Sequence, residues 1–368
     1  MRVGIITVHK STVNYGASLQ CFSLYRYLSS SLIIDCEVID LKRPCHKRYI
    51  PSKSFGEKKH VILQLKTSLN DCFRHRNKGN RDKLFDCFNN LIKYSREYRS
   101  VQSIYDNPPQ YDVYISGSDQ IWNPNMPFVN APYFLDFVHG VKKISYASSL
   151  GIEIIDNEEI RKNYVSWLSE YGAISVREKS AVSLLHSISI NNVTQVLDPV
   201  FLTTKAEWIS LMPTERLIRE DYTFIYFLSY DEKFVKRIDY YIRNTNKKVV
   251  LVMSDDSSVS VSGAVQLREI GPLEWLNLLY FANEIITDSF HATCFSLIFE
   301  KSFGVIINKE KKTNSRIIDV LTLLHLENGV NEINEKDIKL SLIDNKGLSV
   351  LESEIKRSKT FLKSALGI

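Results

Sequence analysis

Apolar and polar positions along this chain alternate between two periods. Short β-branched or aromatic runs (RVGIITV, CEVIDL, YDVYISGSD, KKISYASSLG, GAISVRE and VTQVLDPV) are separated by helix-length amphipathic stretches. Such runs predict buried strands, and the alternation predicts parallel sheets with helices on both faces. After LDPVFLTTKAEW the pattern begins again with YTFIYFLS, KKVVLVMS, AVQLRE, NEIITD and SFGVIIN, spaced by helices such as GPLEWLNLLYFA. The chain of 368 residues exceeds one ordinary core and suits two domains. The expected fold is therefore α/β, with two Rossmann-like parallel-sheet domains facing a central cleft. The first domain spans 1–200 and carries a basic helical insert at 42–100, with helices around Val61–Asn70 and Arg81–Tyr98. The second spans 201–334, and a charged helical tail, 335–368, is expected to pack back on the first.

Composition narrows the setting. Hydrophobic residues at 44% and charged residues at 24% are those of a soluble globular protein. Cys21, Cys36, Cys45, Cys72, Cys87 and Cys294 form no CxxC pair and read as reduced thiols. MRVGIITVHK is too short in its apolar part for a signal peptide, and no apolar run is long enough to span a membrane. A cytoplasmic protein is expected. The net charge of +5 is uneven: Lys42 to Lys83 holds 13 Lys/Arg against three acids, an excess of +10, so the rest is near −5. That segment is either a solvated helical face or a surface that meets anionic lipid at the inner face of the cell membrane. No nucleic-acid motif accompanies it, and no nucleic-acid partner is expected.

Polar clusters fall at the carboxyl ends of the predicted strands: HKSTVNYG, SGSDQIWNP, SYASSLG, SVREKS and TDSFH. Ligands bind at that edge of open parallel sheets. A GxGxxG after the first strand, a P-loop, a GxSxG elbow and HExxH spacing are all missing, so no dinucleotide, P-loop nucleotide or required metal is expected. The remaining chemistry is cationic and hydrogen-bonding. In TDSFHATCFSLIFEK, Asp288 or Thr287 can cap a helix whose first turn holds Ser289 and His291, where free N–H groups favour an anion. His291 is either packed in that cap or protonated by a bound dianion and used as an acid. Arg177, just past a strand, offers a fork to carboxylate or phosphate, or else braces a helix start, with Glu178 and Lys179 beyond it on the surface. Asn314, Ser315 and Arg316 open another helix with the same anion logic. Ser118, Asp119, Gln120, Trp122 and Asn123 combine an acid, amides and an indole, which suits a sugar, or else form a tight loop over core. Asn14, Tyr15 and Gly16 allow close approach of backbone to a ligand or a tight entry into the next helix, expected over SLQCFSLYRYLSS after Ala17, and Tyr146 is a further candidate for the sugar.

Taken in order, NYGASLQ, YISGSDQIWNP, SYASSLG, SVREKSA, VLDPVFL and TDSFHATCFSLIFEKSF resemble the polysaccharide pyruvyl transferases, over Met1 to about Leu324. The resemblance implies a GT-B-like fold, phosphoenolpyruvate as donor substrate without a further cofactor, and a saccharide acceptor, often lipid-linked, in bacterial surface-polysaccharide assembly. It places the family's C-terminal histidine on His291 and the arginine of its SVRE motif on Arg177. Many members carry Arg directly before that histidine; this chain has Phe290, and Arg316 is the candidate substitute. Ketal formation needs an acid near C3 of the enol ether (His291), cations for the anionic groups (Arg177, Arg316) and a base for the sugar hydroxyls (Asp119). The alternatives are a GT-B glycosyltransferase with a nucleotide-sugar donor, for which Glu300 is the acid available to a ribose, and a non-enzymatic binding protein.

Overall fold

The computed structural model describes residues 1–10, 13–43, 79–126, 131–228, 232–253, 260–308, 314–335 and 337–368. The helix expected around Val61–Asn70 and most of the basic segment lie outside the described residues. The chain divides into two units. One comprises Met1–Val13, Ala17–Leu202 and Arg357–Ile368; the other comprises Asn14–Gly16 and Thr203–Lys356.

In chain order the first unit contains β1 (Arg2–Ile6), most of α1 (Tyr15–Arg26), β2 (Asp35–Leu41), α2 (Asn80–Asn89), β3 (Tyr94–Tyr98), α3 (Val101–Asp106), β4 (Val113–Ser116) and β5 (Lys142–Ser145). It continues with α4 (Glu158–Leu168), β6 (Ile174–Val176), α5 (Lys179–Ser187) and β7 (Val193–Gln195). The five-stranded sheet runs β3-β2-β1-β4-β5, and all its pairs are parallel. Val3 lies opposite both Cys36 and Val113. Bridges Ile144–Ala173 and Ser148–Val176 bring β6 alongside β5. The helix expected over Arg81–Tyr98 is a shorter helix followed by an edge strand. In YSREY, Tyr94, Arg96 and Tyr98 share one face of the strand and Ser95 and Glu97 the other, and Leu41 pairs with Tyr98.

The second unit contains α6 (Lys205–Leu211), β8 (Tyr222–Phe227), α7 (Glu232–Arg243), β9 (Lys248–Met253), β10 (Ala264–Leu267), α8 (Pro272–Phe281), β11 (Glu284–Thr287) and α9 (Phe290–Ile298). After these come β12 (Ser302–Ile307), α10 (Ser315–Leu323), β13 (Val330–Glu332) and the first part of α11 (Asn345–Leu366). Its six strands run β10-β9-β8-β11-β12-β13, again all parallel. Every residue of β8 is buried, which explains why YTFIYF is a continuous apolar run without alternation. From Arg357 onward α11 belongs to the first unit, where the Ser358 hydroxyl accepts from Leu197 N at 3.0 Å.

No helix among the described residues is long and apolar enough to cross a membrane. In each sheet the strand order reverses once, between β1 and β4 and between β8 and β11. The carboxyl ends of those pairs are where a parallel sheet opens to a ligand.

Candidate functional site

In the second unit, TDSFH leaves β11 beside the end of β8. The Thr287 hydroxyl donates to Tyr226 O (2.5 Å) and accepts from Ser289 N (3.0 Å), while Asp288 Oδ1 accepts from Leu228 N (2.7 Å). These bonds tie the two strand exits together and leave Ser289, not Asp288 or Thr287, as the N-cap of α9. Ser289 has extended φ/ψ (−91°, 126°) and its hydroxyl accepts from Ala292 N. His291 therefore stands in the first turn of a nine-residue helix buried along its length, where the macrodipole favours negative charge.

His291 is 8% exposed, and its ring lies against Gly16. A Cβ on Gly16 would fall 2.5 Å from His291 Cγ and 2.8 Å from Cε1, and closer still to Nδ1. No other residue fits there without displacing the imidazole. Gly16 belongs to the first turn of α1, which begins at Tyr15 and not, as the sequence pattern suggested, after Ala17. Tyr15 anchors this turn. It stacks on Trp275 (5.4 Å, 12°), meets Tyr226 edge-on (5.7 Å, 81°) and donates its hydroxyl to Ile270 O at 3.1 Å. Tyr15 is thus a buried brace for the site and not an acceptor contact, whereas Asn14 is exposed.

Phe290 and His291 meet ring to ring at 5.3 Å, and the Arg316 guanidinium sits 5.6 Å from the Phe290 ring centroid. Arg316 stands in the first turn of α10, so a cation lies one aromatic ring away from His291. Asn314 precedes that helix and donates to Asn308 O at 2.6 Å, with Ser315 next to it as the first helical residue. Glu300 lies beyond the far end of α9 and pairs with Lys205 at 2.8 Å, away from this helix start.

The first unit gathers the other candidates around Asp119. Asp119 has φ 71°, a left-handed conformation that Asp tolerates better than most residues. Its carboxylate accepts from Gln120 N at 2.9 Å, and Asp119 and Gln120 keep partial exposure. Asn123 Nδ2 donates to Gln120 Oε1 (2.6 Å). Gly151 makes room for both amides, since a Cβ there would approach Gln120 Oε1 to 2.7 Å and Asn123 Nδ2 to 2.8 Å.

Trp122 is corrected by the structure. It is fully buried, stacks on Phe134 (5.3 Å, 7°) and donates its indole N–H to Tyr133 O, so it fills core and presents no face to a sugar. Tyr146 is equally buried, and burial together with Asp198 raises its hydroxyl well above the usual tyrosine range. Ser118 is also buried and donates to Asp198 Oδ2 at 3.0 Å.

Arg177 does not present its fork outward. Its side chain is 2% exposed, with Nη1 on Asp198 Oδ2 (2.7 Å) and Nε on Glu178 Oε1 (3.4 Å). Burial opposes its charge, but Glu178, Asp198 and Asp119 outweigh that and hold it above the ordinary arginine range. Glu178, read from the sequence as surface, is 1% exposed and accepts from the Ser149 hydroxyl. Among the described residues, no group of three His, Cys, Asp or Glu side chains is arranged to hold a metal ion.

A family model described as polysaccharide pyruvyl transferase matches residues 14–310. No curated protein matches the chain. Among solved structures it is similar to a UDP-N-acetylglucosamine 2-epimerase, at 11% identity over 99% of this chain and 89% of that one, with a TM-score of 0.51. It is also similar to an S. aureus MnaA–UDP co-structure, at 11% identity over 98% and 89%, with a TM-score of 0.50. At such identity the likeness is one of fold: two parallel-sheet α/β units of GT-B-like type.

Proposed function

We propose that the chain, which belongs to the polysaccharide pyruvyl transferase family, transfers the pyruvyl group of phosphoenolpyruvate to two hydroxyls of one saccharide as a pyruvate ketal. The observation that carries this reading is the His291 ring, set at a helix start against Gly16, with Arg316 one aromatic ring away. Such a place attracts a dianion, which would set phosphoenolpyruvate beside the imidazole that acts as the acid.

On this reading His291 protonates C3 of the enol phosphate while the first sugar hydroxyl adds to C2. Arg316 and the positive end of the helix dipole hold the carboxylate and phosphate. Phosphate leaves, the second hydroxyl closes the ring on C2, and its proton is taken up as the phosphate departs. Asp119 is the base for the acceptor, with Gln120 and Asn123 orienting sugar hydroxyls. The acceptor is a saccharide of surface-polysaccharide assembly, lipid-linked in this reading.

The test is a transfer assay on wild type and His291→Ala, following phosphate release and ketal formation with a panel of saccharide acceptors. Phosphate release that depends on both substrates and vanishes in His291→Ala supports the assignment. Turnover with a nucleotide sugar, and none with phosphoenolpyruvate, would replace it by glycosyl transfer on the same fold.

A further inference from the structure

The Arg177 guanidinium sits at the centre of a buried, nearly symmetrical network. Nη1 meets Asp198 Oδ2, which also accepts from the Ser118 hydroxyl; Nε meets Glu178 Oε1, which also accepts from the Ser149 hydroxyl. The two serines flank one residue. Ser118 directly precedes Asp119, and Ser149 N donates to Asp119 O at 3.0 Å. Asp119 is moreover bridged to Ser148, and its carbonyl accepts from Ile121 N at 2.7 Å. Its left-handed φ of 71° is therefore held from several sides. All the network's side chains are buried: Arg177, Glu178, Asp198, Ser118 and Ser149. A buried arginine that makes one contact to each of two carboxylates fixes the geometry of both, since its planar fork is rigid.

We infer that Arg177, through Glu178–Ser149 on one side and Asp198–Ser118 on the other, is a positioning residue that holds the Asp119 loop in its working conformation. This rests on the reading of Asp119 as the acceptor base. Arg177 then serves the acceptor's chemistry without touching the donor, and Glu178 and Asp198 are as necessary as the arginine. A lysine cannot replace it, because one ammonium lacks the planar fork that sets the two carboxylates relative to each other.

The experiment uses the full chain with aspartate carboxyls labelled by carbon-13, and Asp119→Asn to assign the Asp119 signal. In Ser149→Ala and Glu178→Gln, both close to isosteric, the Asp119 titration should move by about half a pH unit. With phosphoenolpyruvate as donor, turnover should fall about 100-fold while calorimetric affinity for phosphoenolpyruvate stays within about twofold. The double variant should be no worse than the poorer single one, because both remove the same link. Arg177→Lys should behave like these variants. An Asp119 signal unmoved in all three, with phosphoenolpyruvate affinity reduced about tenfold or more in Arg177→Lys, would overturn the inference and make Arg177 a donor ligand. If wild type shows no turnover with phosphoenolpyruvate, the proposed reaction fails. The Asp119 titration in the variants still decides whether the network positions that residue.

Discussion

The Gly16–His291 contact is the point at which one atom decides the site. NYGA suggested a close approach of backbone to a ligand or a tight helix entry; the structure gives a close approach, but to the histidine. Gly16→Ala must push the ring or shift the first turn of α1. The expected result is a kcat about 100-fold lower, with a stability loss of about 1–3 kcal/mol that is too small to unfold the protein. A variant with wild-type kcat would show that the ring's position is not critical. Arg316→Ala removes the cation beside Phe290, and the KM for phosphoenolpyruvate should rise about tenfold or more with a smaller change in kcat. The place of His291 in a first helical turn was legible in the sequence, as was that of Arg316. The burial of Trp122 was not legible, because an indole in a polar loop has the same sequence signature whether it faces sugar or core. Asp198 did leave a trace: an acid inside the apolar run VLDPVFL has to find a buried partner.

At the scale of elements, the strands were readable because both faces of each sheet are covered, so their runs are continuously apolar. β3 was missed because it is an edge strand whose two aromatic residues, Tyr94 and Tyr98, are four apart, a spacing that also suits one face of a helix. The start of α1 was placed late, since Tyr15 and Gly16 carry little helical signal and are held there by Trp275 and His291. For α9 the deciding feature is its cap. Ser289→Ala removes the acceptor for Ala292 N and should cost about 1 kcal/mol in urea unfolding, with a larger proportional loss in activity because His291 is two residues away. Equal losses in both would make the cap a stability feature alone.

At the scale of the whole molecule, stability should depend on a histidine outside the donor site. His9, in the loop after β1, is buried with its ring nitrogen on Leu41 O at 3.2 Å. Burial, opposed by Asp40 and reinforced by Lys42, Arg43 and Lys10, lowers its pKa to about 3. Between that value and the unfolded value near 6.5, the unfolded chain binds a proton that the folded chain refuses. Stability is therefore intact above the unfolded pKa and declines as pH falls towards the folded one, by an amount on the order of a few kcal/mol. Urea midpoints measured from pH 7 to pH 4 should fall less steeply in His9→Gln than in wild type, and parallel slopes would contradict the assignment.

The two-unit α/β plan follows from repetition of the strand–helix pattern and its GT-B-like type from the family resemblance, whereas the grouping of Asn14–Gly16 with the second unit depends on tertiary contacts that no local period encodes. Donor binding through His291 and Arg316 is read most simply by calorimetric titration of phosphoenolpyruvate into wild type and Arg316→Ala. Binding to wild type, weakened about tenfold or more in Arg316→Ala, is the predicted result. Heat from a nucleotide sugar and none from phosphoenolpyruvate, with or without saccharide present, would contradict it.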